Sequence, residues 1–341
     1  MSGKLGLAVI GTGMAALPHA RALKDLQDLI EVKGVYSRTQ EKRFAFAQEH
    51  GFPEAAALEQ LVADPDVHAA LIITPPNQRQ ALVETFARAG KHILMEKPVE
   101  RTTGAAEGLV RMCEAAKVQL GIVFQHRFRE VSRTLKSLID AGDLGEIGMV
   151  RVSVPWWRAQ AYYDEPGRGS YERDGGGVLI SQAIHTLDLM LSMTGPVSEV
   201  QAVSATTRFH KMEAEDFVAG GLRFASGAVG SVMATTASFP GDAESITLDG
   251  TRASAHLQSG VLTVRYRDGR VQTWGETAGT GGGADPMAFP HGWHRDLIRS
   301  FASRVLAGEP VDVSGREALH VHRLIDALVQ SSKDRRAVTI D

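Results

Sequence analysis

Apolar positions in the first third of the chain come in two alternating textures. Short unbroken runs at 5–10, 32–36, 69–74, 92–96 and 118–124 have the length and continuity of strands buried on both faces. Between them, stretches at 15–26, 40–49, 78–89 and 103–116 carry helical patterns. Gly90 stands where a helix C-cap glycine is expected, just ahead of the 92–96 run. Strands separated by helices predict a parallel sheet covered on both faces. Ligands in such sheets bind at the carboxyl ends of the strands. Thr74-Pro75-Pro76-Asn77 and Glu96-Lys97-Pro98 fall at two of those ends.

Past residue 122 the rhythm changes. A helix near 129–140 leads to a strand at 146–154, an aromatic loop at 155–171 and an apolar helix at 177–193. Strands are then predicted at 197–208, 215–224, 228–236, 244–249, 252–257 and 261–267. Short turns join several of them, at Ser226-Gly227, Asp249-Gly250, Ser259-Gly260 and Asp268-Gly269. This pattern predicts a largely antiparallel sheet, and with it two domains, 1–122 and 123–341. The glycine-rich stretch 275–283 has the composition of a mobile segment. Ser314-Gly315-Arg316-Glu317 matches a capping box opening a last helix.

The first strand breaks into Gly11-Thr12-Gly13-Met14-Ala15-Ala16, a G-x-G-x-x-A turn between a strand and a helix. Gly11 would allow the tight turn, Gly13 would let backbone approach a pyrophosphate, and Ala16 would permit close helix–strand packing. The following helix would aim its unpaired amides and positive dipole end at phosphate. A plain structural turn is the other reading of the same residues. Composition narrows the class. At 341 residues, 43% hydrophobic and 23% charged with a net charge of −3, the chain suits a two-domain soluble protein without a nucleic-acid or anionic-membrane surface. Its one cysteine, Cys113, leaves no disulfide framework or cysteine metal cluster, so a reducing, cytoplasmic setting is expected. Lys4 and the apolar run behind it imitate a signal peptide, but the two glycines argue against one. No apolar run has the length of a membrane span.

Three constellations carry candidate chemistry. At the end of the second strand, where a carboxylate would hold the ribose hydroxyls of NAD, the chain reads Tyr36-Ser37-Arg38 and then Lys42-Arg43. A hydroxyl and cations there would welcome a 2′-phosphate, which favours NADP(H) over NAD(H). The alternative has Arg38 stacked on adenine and the other cations on a solvated helix face. Lys97, at a strand end and followed by proline, is placed to hydrogen-bond a reacting hydroxyl or to exchange its proton; a lysine snorkelling to water is the plain alternative. The third constellation is Asp174-Gly175-Gly176-Gly177 and the apolar helix behind it. Ser181, His185 and Asp188, spaced i, i+4, i+7, share one face of a regular helix there. They form either a satisfied structural network or a site. The triple glycine would admit close backbone approach by a ligand.

Taken together, these motifs resemble the Gfo/Idh/MocA family of NAD(P)-dependent oxidoreductases nearly end to end. The resemblance implies a Rossmann domain plus an α/β domain with a large open, mostly antiparallel sheet that commonly forms the subunit interface, hence a homodimer or homotetramer. It implies hydride exchange between nicotinamide C4 and a secondary alcohol carbon of a sugar, polyol or glycoside. By position, Lys97 and His185 match the residues that handle the hydroxyl proton. Cofactor contacts are expected from Gly11, Thr12, Gly13, Met14, Ala15, Ser37, Arg38, Lys42, Thr74, Pro75, Asn77, Glu96, Lys97 and Gln125. Substrate contacts are expected from Trp156, Trp157, Arg158, Tyr163, Asp174 and Ser181, with Trp156 and Trp157 packing on sugar rings or belonging to ordinary core. His126, Arg127 and His294 are further candidates, His294 reading best as a histidine at a helix start. No metal site is expected. The chain departs from the family twice. Ser181 stands where many members carry Asp, which removes a carboxylate from any relay. Arg79 stands where members often place His, as a surface change or an altered cofactor contact. Two other functions fit the same pattern: a glycosidase that retains NAD and works by transient oxidation, and a non-catalytic dinucleotide-binding regulator.

Overall fold

The fold is that of a computed structural model, and the structure describes residues 3–277 and 290–340. Of the glycine-rich 275–283 stretch, therefore, all but the first three residues lie outside the described residues. The chain clusters into two compact units. The first runs to Gln125 and takes up Pro290–Leu319 as well; the second starts at His126 and takes up the chain again from His320. Pro290–Leu319 thus joins the first unit, where the sequence reading had one continuous second domain, 123–341.

In the first unit, strands β1 (Leu5–Ile10), β2 (Ile30–Tyr36), β3 (Ala69–Ile72), β4 (His92–Met95) and β5 (Leu120–Ile122) form a parallel sheet in the order β2-β1-β3-β4-β5. Every residue of β1, β3 and β5 is buried, as continuous apolar runs demand when helices cover both faces. Helices Ala16–Asp25, Gln40–His50, Arg79–Arg88 and Thr103–Ala115 follow the expected stretches. Gly90 has φ +69°, the left-handed value of its expected cap position. Two helices escaped the sequence reading. Leu58–Ala63 is only six residues long, and its start is capped from within by the Gln60 side chain. Gly292–Ala307 lies beyond the glycine-rich stretch and packs on helix Ala16–Asp25.

The second unit is built on nine strands: β6 (Ile147–Pro155), β7 (Val197–Ala205), β8 (Phe217–Phe224), β9 (Val229–Thr235), β10 (Ser245–Gly250), β11 (Ala253–Gln258), β12 (Val261–Tyr266), β13 (Val271–Trp274) and β14 (Val338–Thr339). Their order is β13-β12-β11-β10-β6-β9-β8-β7-β14, with every pair antiparallel except β6 with β9. Helices Glu130–Asp140 and Ile184–Thr194 pack on one face. The opposite face carries exposed apolar side chains: Met149 opposite Val229, then Val203 and Val271 at matching registers. The edge strand β13, mostly exposed, was not predicted.

The last helix, Gly315–Asp334, opens on the expected capping box. The Ser314 hydroxyl accepts from the Glu317 amide (3.2 Å), and the Glu317 carboxylate accepts from the Ser314 amide (3.1 Å). Replacing Ser314 with Ala removes one of the two reciprocal bonds. It should lower stability by about 1 kcal/mol in urea denaturation, with Ser314→Asp close to wild type.

Candidate functional site

The expected site residues fall in both units, and each unit's share stands on its own geometry. In the first unit, Gly11 takes φ +109°, a conformation side-chain-bearing residues avoid, and turns the chain out of β1. Above Gly13 there is open space where a side chain would sit, and Ala16 is buried in the close packing expected of it. These are the properties a backbone cradle for a pyrophosphate requires. At the end of β2 the Thr12 hydroxyl donates to Ser37 Oγ (3.1 Å), while Arg38 and Lys42 are exposed. Arg43 is not part of that exposed set. It is buried, donates to Glu54 (2.7 Å) and to the Ser37 carbonyl (3.0 Å), and lies over the Tyr36 ring.

At the ends of β3 and β4 the chemistry is denser. The Thr74 hydroxyl and the Gln125 side-chain oxygen are buried without a hydrogen-bond partner among the described residues, as cofactor contacts would be before a ligand arrives. Glu96 is buried and accepts from His19 Nε2 (2.8 Å), and its other oxygen accepts from the Lys97 amide (3.1 Å). His294 sets its ring edge-on to His19, at 4.8 Å between centroids. Burial pushes the Glu96 carboxyl up, but the His19 hydrogen bond and the charges of His19, His294 and Lys97 outweigh it and hold the group at about 2. Burial, helped by His19, pushes the His294 imidazole down to about 3, with Glu96 opposing. His294 is therefore neutral at physiological pH, the buried histidine at a helix start that the sequence suggested. His19, Glu96 and His294 bring donors within 4.8 Å of one another; a carboxylate and an imidazole already joined in a hydrogen bond account for this closeness.

Arg79 is not a surface residue. It is 2% exposed. Its guanidinium donates to the carbonyls of Thr74 (Nε, 2.9 Å), Glu96 and Pro98 (both from Nη1) and Lys97 (Nη2, 3.3 Å). The surface reading of this position is corrected by those four carbonyls.

In the second unit the triple glycine has a different use from the one expected. A side chain on Gly177 would stand 1.7 Å from the Glu215 carbonyl oxygen, so what approaches closely is the protein's own backbone. The Val178 amide donates to that carbonyl (2.8 Å), and the Glu215 carboxylate accepts from the amides of Gly177 and Leu179 (3.2 Å each). An internal carboxylate thus caps the helix start, where negative charge is favoured. Burial raises its pKa and those amides oppose the rise.

The helix itself starts as a π-helical turn over Leu179–Ala183 and becomes α-helical at Ile184–Thr194. The wide turn takes Ser181 out of the regular spacing assumed for one shared face. Asp188 is committed to Arg127, whose Nε and Nη2 each donate to one carboxylate oxygen at 2.7 Å. His185, buried, stacks on His126 at 4.9 Å between centroids. His126 accepts at Nε2 from Arg129 (2.6 Å), because a guanidinium only donates. Arg129 also donates to Glu244 (2.8 Å), which accepts from the Trp156 indole (3.3 Å). A buried chain therefore runs from Trp156 through Glu244 and Arg129 to the ring under His185.

The expected substrate residues divide. Trp156, Arg158 and Tyr163 are buried: Arg158 lies over the Trp156 and Tyr162 rings, and the Tyr163 hydroxyl bonds Thr236 (2.6 Å). Asp174 closes its own loop, accepting from the Gly169 amide (2.8 Å). Trp157 and Ser181 are half-buried. Trp157 meets the exposed Phe239 edge-on at 5.4 Å and Phe209 at 6.3 Å. Sequence reasoning missed Glu215, Glu244 and the pairing of His19 with Glu96, whose partners lie far away in the chain.

Two family models match the chain. One, described as an oxidoreductase family with an NAD-binding Rossmann fold, covers residues 5–124; the other, the GFO/IDH/MocA C-terminal domain, covers 132–256. The scyllo-inositol 2-dehydrogenase (NADP(+)) IolW of Bacillus subtilis is 24% identical over 357 residues, 98% of this chain and 96% of its own length. Myo-inositol 2-dehydrogenase of Thermotoga maritima is 26% identical over 345 residues, 98% of each chain. The structure of levoglucosan dehydrogenase in complex with NADH and levoglucosan superposes with a TM-score of 0.88 at 23% identity, over 99% of this chain and 100% of that one. That likeness shows a common fold.

The depressed His294 pKa has a signed consequence. An unfolded histidine takes up a proton below about 6.5, whereas the folded one waits until about 3. The unfolded state therefore binds more protons in that window, and stability falls as pH drops through it, by up to about 1.4 kcal/mol per pH unit. Glu96, held at about 2 against an ordinary 4.5, adds to the loss over the lower part of the window. Urea denaturation between pH 7 and about 4.5, above the range in which Glu96 acts, should show a steeper slope in wild type than in His294→Gln, the difference being the His294 share.

Proposed function

Because the chain belongs to the Gfo/Idh/MocA family of NAD-binding oxidoreductases, we propose that it moves a hydride between nicotinamide C4 and a secondary alcohol or ketone carbon of a sugar, polyol or glycoside. The observation that carries this reading is the match of both family halves onto a chain whose β1–helix turn and Lys97 turn have the form the chemistry needs. Bound NAD(P) supplies the hydride acceptor or donor, and the protein binds, orients and manages the proton. The cofactor-binding set is Gly11, Thr12, Gly13, Met14, Ala15, Ser37, Arg38, Lys42, Thr74, Pro75, Asn77, Glu96, Lys97 and Gln125. The open space above Gly13 and the buried Thr74 and Gln125 oxygens support it.

Lys97 and His185 handle the hydroxyl proton. Asp188 is committed to Arg127 and Ser181 is a hydroxyl; in the first unit the Glu96 carboxylate accepts from the Lys97 amide. Trp157, Asp174 and Ser181 are the half-buried members of the expected substrate set; with Asp174 tied to its own loop, Trp157 and Ser181 are the best-supported substrate contacts, while Trp156, Arg158 and Tyr163 are buried. The enzyme works in the cytoplasm as a homo-oligomer whose copies meet on the exposed apolar sheet face around Met149 and Val229.

NADP(H) is favoured over NAD(H), since Ser37, Arg38 and Lys42 offer a hydroxyl and two exposed cations with Arg43 engaged elsewhere. The name of the Bacillus subtilis relative carries NADP(+), in keeping with this. The test is reduced-nicotinamide absorbance with NADP⁺ and NAD⁺ separately, across inositols, other cyclic polyols and glycosides. Turnover on a polyol or sugar is expected, and failure to bind either dinucleotide would overturn the reading. Arg38→Ala should raise the KM for NADP⁺ about 10- to 100-fold, the worth of one charge-assisted hydrogen bond, and leave that for NAD⁺ nearly unchanged. Lys97→Met should lower kcat by about 10²–10⁴, the usual weight of general acid–base catalysis.

A further inference from the structure

Arg79 opens the helix Arg79–Arg88 as its first residue, and the first turn carries no acidic side chain. A cation there opposes the helix dipole, and its burial is costly besides. The compensation is visible. Four main-chain carbonyls, Thr74 at the end of one strand and Glu96, Lys97 and Pro98 beyond the next, converge on one guanidinium. A planar guanidinium with five fixed donors can serve four acceptors at once; an ammonium has only three donors, on a freely turning end. From the other direction the Glu96 carboxylate accepts from the Lys97 amide (3.1 Å) and is itself held by His19 (2.8 Å). The Lys97 peptide is thus gripped at its amide by an anion and at its carbonyl by a cation. Burial lowers the Arg79 pKa to about 10, with Glu96 and Glu100 opposing, so the grip keeps its charge at neutral pH.

We propose that Arg79 is the positioning residue for Lys97: by gathering the carbonyls of Glu96, Lys97 and Pro98 together with that of Thr74, it fixes the direction in which the Lys97 side chain leaves the turn. Its catalytic consequence rests on the reading of Lys97 as a proton-handling group; its structural content does not. Arg79 touches no reacting atom in this account and acts through the main chain of the residue that does. Displacement of a catalytic group by about 1 Å costs on the order of 10²-fold in rate, which sets the size of effect to look for.

The test uses the whole protein labelled with ¹³C,¹⁵N-lysine, the Lys97 side-chain signal being identified by its loss in Lys97→Met. In Arg79→Lys and Arg79→Ala the Lys97 signal should move and titrate at a different pH, while the Lys42 signal stays where it was. At saturating cofactor, kcat should fall about 10²-fold, with a displaced pH profile. Millimolar guanidinium added to Arg79→Ala should move the signal, the profile and part of the rate back. An unchanged Lys97 signal and titration in the folded Arg79→Lys protein would overturn the proposal, even where Arg79→Ala is too unstable to study. Full activity in Lys97→Met would instead overturn the proton-handling reading of Lys97, and the lysine signal would still decide whether Arg79 positions it.

Discussion

Buried main-chain polar groups must find partners, and at two turns in this protein charged side chains supply them where regular structure stops. Strands that end inside a protein leave carbonyls and amides pointing at apolar surroundings, and a glycine turn leaves more. In the first unit the Arg79 guanidinium and the Glu96 carboxylate meet this demand around Lys97. In the second unit the Glu215 carboxylate meets it at Gly177 and Leu179. Each such group is costly to bury alone. Each therefore brings its own support: His19 for Glu96, and further main-chain amides for Glu215. The turns at Lys97 and Gly177 thus have their backbone bonded to buried ions.

The same economy of partners sorts the side chains at the candidate positions. Arg43, Asp188, Arg129 and Glu244 are all charged, all near candidate positions, and all committed to one another or to a neighbour. Arg38, Lys42 and Trp157, beside them in sequence or space, keep exposed surface.

This explains what could be read from the sequence. The strands β1 to β5 were legible to within about two residues because a strand buried on both faces writes itself as an unbroken apolar run. The glycine turn was legible because φ +109° at Gly11 is a requirement on one residue. The capping box at Ser314 was legible because both partners lie within three positions. Helix Leu58–Ala63 and strand β13 were not, being short and largely exposed or polar, so no periodicity accumulates. At the candidate site, Lys97 and His185 were read from motifs, and the spacing of Ser181, His185 and Asp188 misled. It assumed a regular helix, and the chain makes a wide turn over Leu179–Ala183. The burial of Arg79 and Glu215 was illegible, since most of their partners lie 17 to 38 positions away.

One feature of the chain path bears on how the molecule comes into being. The first unit closes only with Pro290–Leu319, which brings His294 to His19, Phe301 against Gly121 and the Val313 carbonyl to the Ile122 amide. A ribosome has made β1 to β5 long before it reaches those residues. At roughly 5–20 residues per second, the nascent sheet must wait on the order of ten seconds with one flank uncovered while β6 to β13 of the second sheet are synthesised. The unit that carries the glycine turn is therefore completed by residues made only after most of the second unit.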